Sequence, residues 1–215
     1  MPLNLQSPLW RQLPKSEQKR LLTLVEYERV AQKEGHPIVA GVDEAGRGPL
    51  AGPVVAAAVI VPSGFFFPGI DDSKKLTPRS REALFTDIQE ETIFGLGIAS
   101  VALIEKINIL QATLQAMRDA IQQLGQPAYL LVDGTVLPST PGRAVIKGDA
   151  LSQSIACASI LAKVTRDRMM SAYEEMYPDY GFAQHKGYGT AQHRAAIQRF
   201  GLCPLHRPSF CTKIL

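Results

Sequence analysis

The chain has 215 residues, enough to bury a sizeable core in one domain, and its 46% hydrophobic and 20% charged residues are those of an ordinary globular protein. A net charge of +3 is too small to identify a partner, and the longest apolar run, Val54 to Val61, is too short to span a bilayer. Residues 1–15 lack the apolar core of a secretion signal, and three cysteines without metal-ligand spacing argue against a disulfide framework, so the expected setting is the cytoplasm.

Pro14 to Gly35 is predicted as a helix, with Ser16 as cap, Leu21, Leu22, Leu24, Val25 and Val30 as its apolar face, and Gly35 as its end. Just before it, Gln6-Ser7-Pro8-Leu9-Trp10 loosely resembles the short peptides that dock on bacterial sliding clamps, although so short a match is weak and Trp10 better suits packing.

The next stretch is the one on which a function turns. Ile38-Val39-Ala40-Gly41-Val42 reads as an apolar strand, and it ends in two adjacent carboxylates, Asp43 and Glu44. Neighbouring strand residues point to opposite faces, so one acid must turn toward the packed side of a sheet or a cleft at its edge. A charge there is costly unless it is paired or bound to a cation. Gly46-Arg47-Gly48 follows, in which the glycines let foreign backbone approach closely and Arg47 offers a planar fork suited to phosphate. Acids for a metal beside an arginine for a phosphate suggest phosphodiester chemistry, whereas an isolated Asp-Glu pair would fit a solvated strand end.

Pro53 to Pro62, rich in β-branched residues and alanine, is expected to be a strand buried on both faces. Asp72-Ser73-Lys74-Lys75-Leu76 precedes a helix from Thr77-Pro78 to about Glu91. By composition this run fits a phosphate-binding corner and a capped loop with solvated lysines equally well. Ile93 to Val101 is the third predicted strand, its glycines suiting a position crowded by a helix, and Ile104 to Leu124 is a long helix ended by Gly125.

Tyr129 to Gly134 is an apolar strand ending in Asp133-Gly134, and Val145 to Asp149 another ending in Gly148-Asp149. Acids at the C-terminal ends of strands lie where open α/β sheets build their sites, though Asp149 also fits a cap for the helix after it. That helix, Ala150 to Met170, carries small residues for close packing and turns basic toward its end. From Lys163 onward eight Lys or Arg face four acids, and three of the four histidines lie there too, which fits either a polyanionic partner or a solvated helical face. In Gly181 to Thr190, Tyr188 stands between glycines with Lys186 nearby, a placement that suits either stacking on a sugar or base or anchoring the loop. A short helix over Ala191 to Phe200 and the tail His206-Arg207-Pro208-Ser209-Phe210 end the reading.

Asp43-Glu44-Ala45-Gly46-Arg47-Gly48, Asp72-Ser73-Lys74-Lys75, Asp133, Asp149, the Tyr188 segment and the tail together resemble the type 2 ribonucleases H, bacterial ribonuclease HII in particular, over nearly all of Val39 to Phe210. The resemblance implies a ribonuclease H-like α/β fold, with a mixed five-stranded sheet flanked by helices. It implies one catalytic domain over residues 1–215, an N-terminal helical extension at 1–36 and a helical part from about 150 to 215 covering the cleft. It also implies hydrolysis of RNA in RNA–DNA hybrids and a cut 5′ of single ribonucleotides embedded in duplex DNA, leaving 5′-phosphate and 3′-hydroxyl ends, in ribonucleotide and RNA-primer removal.

On this reading Asp43, Glu44, Asp133 and Asp149 hold two divalent ions, Mg²⁺ or Mn²⁺, which an all-oxygen set favours over zinc. Gly46, Arg47, Gly48 and Tyr188 would read the 2′-hydroxyl where RNA meets DNA, with Ser73, Lys74 and Lys186 on the nucleic acid. The expected molecule is a monomer with no membrane contact and a weak sliding-clamp contact at most. Ribonuclease HIII is the nearest rival, but it usually carries a further N-terminal domain and a different residue in place of Arg47. A binding module that has lost catalysis would lack a carboxylate, and a P-loop protein would need Lys-Ser/Thr after the glycines.

Overall fold

The computed structural model describes residues 3–126 and 128–214. The N-terminal region is not the single predicted helix. It forms β1 (Leu3–Asn4), α1 (Pro8–Gln12), α2 (Lys15–Leu24) and α3 (Glu26–Lys33), with the break at Val25, whose φ of −100° and ψ of 11° leave the helical range. Ser16 does not cap α2, whose N-cap is Pro14. The Trp10 ring is buried against Phe66, with centroids 4.6 Å apart, while Leu9 beside it in the clamp-like peptide is exposed.

A five-stranded mixed sheet follows, from β2 (Val39–Ala45), β3 (Val54–Ile60), β5 (Ile93–Ala99), β6 (Tyr129–Asp133) and β7 (Gly142–Val145), in the order β5-β3-β2-β6-β7. A two-residue β4 (Phe65–Phe66) pairs with β1 outside it. β3 runs antiparallel to both neighbours, while β2, β6 and β7 are parallel. The valines and alanines of β3 are buried on both faces except at its end, as a central strand requires.

Helices cover both faces. α4 (Pro78–Glu91) has the predicted Thr77 cap, whose hydroxyl accepts the Ser80 amide at 3.1 Å. It packs with α2 and α6 (Gln153–Met176) on one face of the sheet. α5 (Val101–Gln122) covers the other, breaking at Asn108, whose φ of 68° is left-handed and whose side chain caps the second half by accepting the Gln111 amide at 3.1 Å. β5 carries Gly95 and Gly97 where α5 crosses, because a Cβ at either would strike the carbonyls of Ala120 or Ala116. On α3, Glu28 accepts hydrogen bonds from Ser152 and Ser154 at the start of α6, a carboxylate at the positive end of a helix.

Three segments depart from the sequence expectation. β7 ends at Val145, and Asp149 lies beyond it in a 3-10 turn, Gly148–Ala150, entered through Lys147 in a left-handed conformation. Asp149 is not the helix cap, since Ser152 accepts the Ile155 amide at 3.3 Å instead. α6 begins later and runs further than predicted. The short α7 (Phe182–His185), α8 (Ala191–Phe200) and α9 (Pro208–Cys211) complete the order, and no helix among the described residues is long and apolar enough to cross a membrane.

Candidate active site

Because β2, β6 and β7 run parallel side by side, their C-terminal ends share one edge of the sheet. Alternation along β2 turns Asp43 toward α6, where the Ser159 hydroxyl donates to it, and turns Glu44 to the other face, where Arg47 Nη1 lies 3.3 Å from Oε1. Asp133 ends β6 and accepts the Gly148 amide at 2.7 Å, which ties down the turn that carries Asp149. Beside Asp149 stands Asp72, a fifth carboxylate that sequence reasoning did not single out.

Burial and mutual repulsion act together on these acids. Desolvation, then the charges of Glu44 and Asp133, push the Asp43 carboxyl well above the usual carboxylate range. Glu44 is raised chiefly by desolvation, against the pull of Arg47, and Asp149 by desolvation and the charge of Asp72. Burial lowers the Lys74 ammonium, but attraction from Asp72, Asp149, Asp43 and Asp133 outweighs it and leaves the group raised. Lys74 is exposed to solvent, within the attractive field of these acids.

Among the described residues no three side chains of His, Cys, Asp or Glu are already gathered closely enough to hold a metal ion. The carboxylates line the floor as separate groups that repel one another. Their donor chemistry fits hard divalent cations, because it is all oxygen and its negative charge is only partly met by Lys74 and Arg47. A cavity of about 720 Å³, lined in part by Lys19, Tyr27, Lys75 and Arg143, opens beside Ala150 and not over these acids.

Beside them lies a loop held in an unusual way. Arg207, fully buried, donates to the carbonyls of Gly46 at 2.7 Å, Arg47 at 3.0 Å, Pro49 at 2.9 Å and Gly52 at 2.6 Å. Arg166, equally buried, donates to the carbonyls of Ala51 at 3.0 Å and Pro53 at 2.9 Å, and the Arg207 amide takes that of Leu50 at 2.8 Å. The loop carbonyls therefore face inward, and the Arg47 and Gly48 amides have no partner among the described residues. Burial lowers both guanidinium pKa values, that of Arg207 to about 10, so both stay charged at neutral pH.

The two glycines flanking Arg47 differ in what the chain itself demands. Gly46 has a φ of 101° and a Cβ there would strike the Arg166 side chain, so glycine is required by the fold. Gly48 has no left-handed φ and open space where a Cβ would stand.

The other sequence-predicted residues separate. Tyr188 is 47% exposed on a loop stitched to the first by the Leu50 amide, which donates to the Gly187 carbonyl at 2.9 Å. Ser73, expected to face a nucleic-acid backbone, is only 2% exposed, and its hydroxyl pairs with Ser159 Oγ at 3.0 Å. That corrects the expectation: Ser73 braces the serine that holds Asp43. Lys186 is half-buried, its ammonium donating to Ser171 Oγ at 2.7 Å, and burial lowers its pKa. Sequence reasoning missed Arg166, Ser159, the role of Arg207 and a buried cluster of His185, His193 and His206. Arginine in an otherwise small-residue helix was the available signal for Arg166.

A family model described as Ribonuclease HII matches residues 40–213. A ribonuclease HII of Ruminiclostridium cellulolyticum is 54% identical over 198 residues, covering 90% of this chain and 78% of that protein. One of Geobacter sulfurreducens is 56% identical over 189 residues, covering 86% and 87%. Among solved structures, ribonuclease H2 of Pyrococcus horikoshii superposes with a TM-score of 0.65 at 26% identity, over 82% of this chain and 96% of that one. The ribonuclease HII of Archaeoglobus fulgidus, solved in complex with PCNA, gives 0.66 at 24% identity, over 80% and 94%. Bst-RNase HIII, solved in complex with Mn²⁺, shares the fold with a TM-score of 0.63 at 15% identity, over 82% and 68%.

Proposed function

This chain belongs to the ribonuclease HII family, an endoribonuclease family of the ribonuclease H class acting on RNA–DNA hybrids, and from that premise we propose that it also cuts 5′ of single ribonucleotides embedded in duplex DNA. The products are 5′-phosphate and 3′-hydroxyl ends, and the cellular tasks are ribonucleotide removal and RNA-primer removal, carried out by a monomer in the cytoplasm.

The observation that carries this reading is the loop of residues 46–53, whose carbonyls are held by two buried arginines and whose Arg47 and Gly48 amides have no partner among the described residues. Free backbone donors next to a ribose suit a hydroxyl that can accept them, and the 2′-hydroxyl is what separates RNA from DNA. Gly48, which the fold does not constrain, leaves room for the sugar-phosphate backbone. Tyr188 supplies an exposed ring for the sugar and Arg47 a fork for phosphate.

Asp43, Glu44, Asp133 and Asp149 would hold the Mg²⁺ or Mn²⁺ ions. Two such ions, when bound, supply the positive charge that activates water and stabilises the leaving oxygen. The chain's own part is to hold those carboxylates and the scissile phosphate in register. Ser159 and the Glu44 amide fix Asp43, the latter at 2.7 Å, and the Gly148 amide fixes Asp133. Lys74, within the attractive field of the acids, meets the phosphate, and Lys186 adds positive charge behind Tyr188. The complex of the Archaeoglobus fulgidus relative makes a sliding clamp a reasonable partner. Through residues 6–10 such a contact would need Trp10 to leave Phe66, or would rely on exposed Leu9.

The test is cleavage of an end-labelled DNA duplex carrying one ribonucleotide, with Mg²⁺ or Mn²⁺ and a chelator control. A metal-dependent cut on the 5′ side of the ribonucleotide is the expected result. Cleavage of long hybrids alone would contradict the junction reading.

A further inference from the structure

Behind Tyr188 lie three buried imidazoles whose hydrogen atoms can be assigned from the bonds they make. His193 Nδ1 is 2.9 Å from the Tyr188 carbonyl, which only accepts, so Nδ1 carries the hydrogen and Nε2 is a bare lone pair. That lone pair faces His206 Nε2 at 3.0 Å, so the hydrogen between them belongs to His206. His206 Nδ1 is then an acceptor, and the Cys203 amide donates to it at 2.9 Å. The Cys203 carbonyl, 3.3 Å from the same nitrogen, is already taken by the His206 amide at 2.9 Å. The result is a one-way chain from the Cys203 amide through His206 and His193 to Tyr188.

His185 completes the support. Its Nε2 donates to the Tyr180 carbonyl at 2.7 Å and its Nδ1 accepts the Gly187 amide at 3.2 Å, while its ring stacks on His193 at 4.3 Å. Its carbonyl accepts the Tyr188 amide at 2.9 Å. Just before Tyr188, Lys186 is left-handed with a φ of 53°, a conformation that is unfavourable for a non-glycine residue and persists only where neighbours fix it. Arg166 does part of this, donating to the Lys186 carbonyl at 2.9 Å.

We propose that His193 and His206 are positioning residues for Tyr188, holding its main chain so that the exposed ring meets the ribose at the RNA–DNA junction. The proposal rests on the reading of Tyr188 given above. The chain of hydrogens needs both rings neutral. Burial supplies that, holding His193 at about 4 and His206 below its usual value, with His185, Tyr180 and Cys203 as the titratable neighbours. The same segments that carry the histidines bring Arg194 and Arg207, whose bonds run to the Gly189 carbonyl and to the loop of residues 46–53.

Two measurements test it. Nitrogen-15 NMR of the intact protein at pH 7 should find hydrogen on Nδ1 of His193 and on Nε2 of His206, and the opposite tautomer or a charged ring at either would overturn the chain. In cleavage assays, His193→Ala should lower kcat/KM on a single-ribonucleotide duplex roughly tenfold, the worth of one buried hydrogen bond, and much less on a long hybrid. His193→Asn, which can still donate to the Tyr188 carbonyl, should recover part of that loss. In a Tyr188→Ala background, His193→Ala should add nothing. Additive losses, or equal losses on both substrates, would overturn the proposal. A Tyr188→Ala enzyme that still discriminates like the parent would instead overturn the reading of Tyr188, and the proposal with it.

Discussion

The Arg207 guanidinium meets the Gly46 carbonyl at 2.7 Å although 161 positions of sequence separate them. Together with its bonds to Arg47, Pro49 and Gly52, this makes one buried side chain the template for a loop. Lysine has no planar fork and too few donors to replace it. Arg207→Lys should therefore destabilise the protein by about 3 kcal/mol, by leaving buried carbonyls unmet. Denaturant unfolding checks this, and an unchanged midpoint would show that the loop does not depend on Arg207.

Gly46 and Gly48 should respond in opposite ways to alanine. At Gly46 the left-handed φ and the Arg166 side chain make alanine costly, by about 2 kcal/mol or more. At Gly48 the fold has no objection, so stability should hold or rise by about 0.5 kcal/mol. Cleavage by Gly48→Ala should nevertheless fall about a hundredfold, because a methyl group there pushes the substrate backbone out of register. Melting temperature and cleavage rate read the two effects apart, and full activity in Gly48→Ala would remove this surface from the substrate path.

Asp43→Asn should separate stability from catalysis. Asparagine keeps an acceptor for the Glu44 amide but removes a charge that Glu44 and Asp133 repel. The metal-free variant should be more stable than the parent by about 1 kcal/mol, yet it should gain less melting temperature from Mn²⁺ and lose cleavage. A variant stabilised by Mn²⁺ as strongly as the parent would take Asp43 out of the metal site.

Stability should also fall in mild acid through the buried histidines. His193 goes from 6.5 in the unfolded chain to about 4 in the fold, because burial penalises its charged form. A base with a depressed folded pKa favours folding while neutral. Its contribution is complete above about pH 6.5 and drains away as pH falls toward 4, by about 3 kcal/mol in all. Unfolding midpoints from pH 7 to 4.5 should drop less steeply in His193→Asn than in the parent, and parallel curves would contradict the assignment.

Much of this molecule was legible in its sequence. The apolar strands, the Thr77-Pro78 helix start and the paired glycines of β5 carry local physics, and the structure has them where the periodicity put them. The positions of Asp43, Glu44 and Asp133 at the ends of β2 and β6 were legible because carboxylates there violate the strand's own pattern. What could not be read was long-range. Ser73 pairs with a serine 86 positions away, and nothing local distinguishes a hydroxyl that faces inward. Arg166 and Arg207 look like surface cations until the carbonyls that surround them are known. The break at Val25 and the short β7 were missed because each is decided by packing and turn geometry that propensity does not report.

The dependence of residues 46–53 on Arg166 and Arg207 also sets an order of assembly. A chain growing from its N-terminus has produced all four predicted ligand acids by Asp149, while the arginine that shapes the neighbouring loop is still to come. Contacts of such separation form late, because the intervening chain must be closed first. A translation product cut short before residue 207 would thus carry the acids without the guanidinium that gathers the carbonyls of the neighbouring loop.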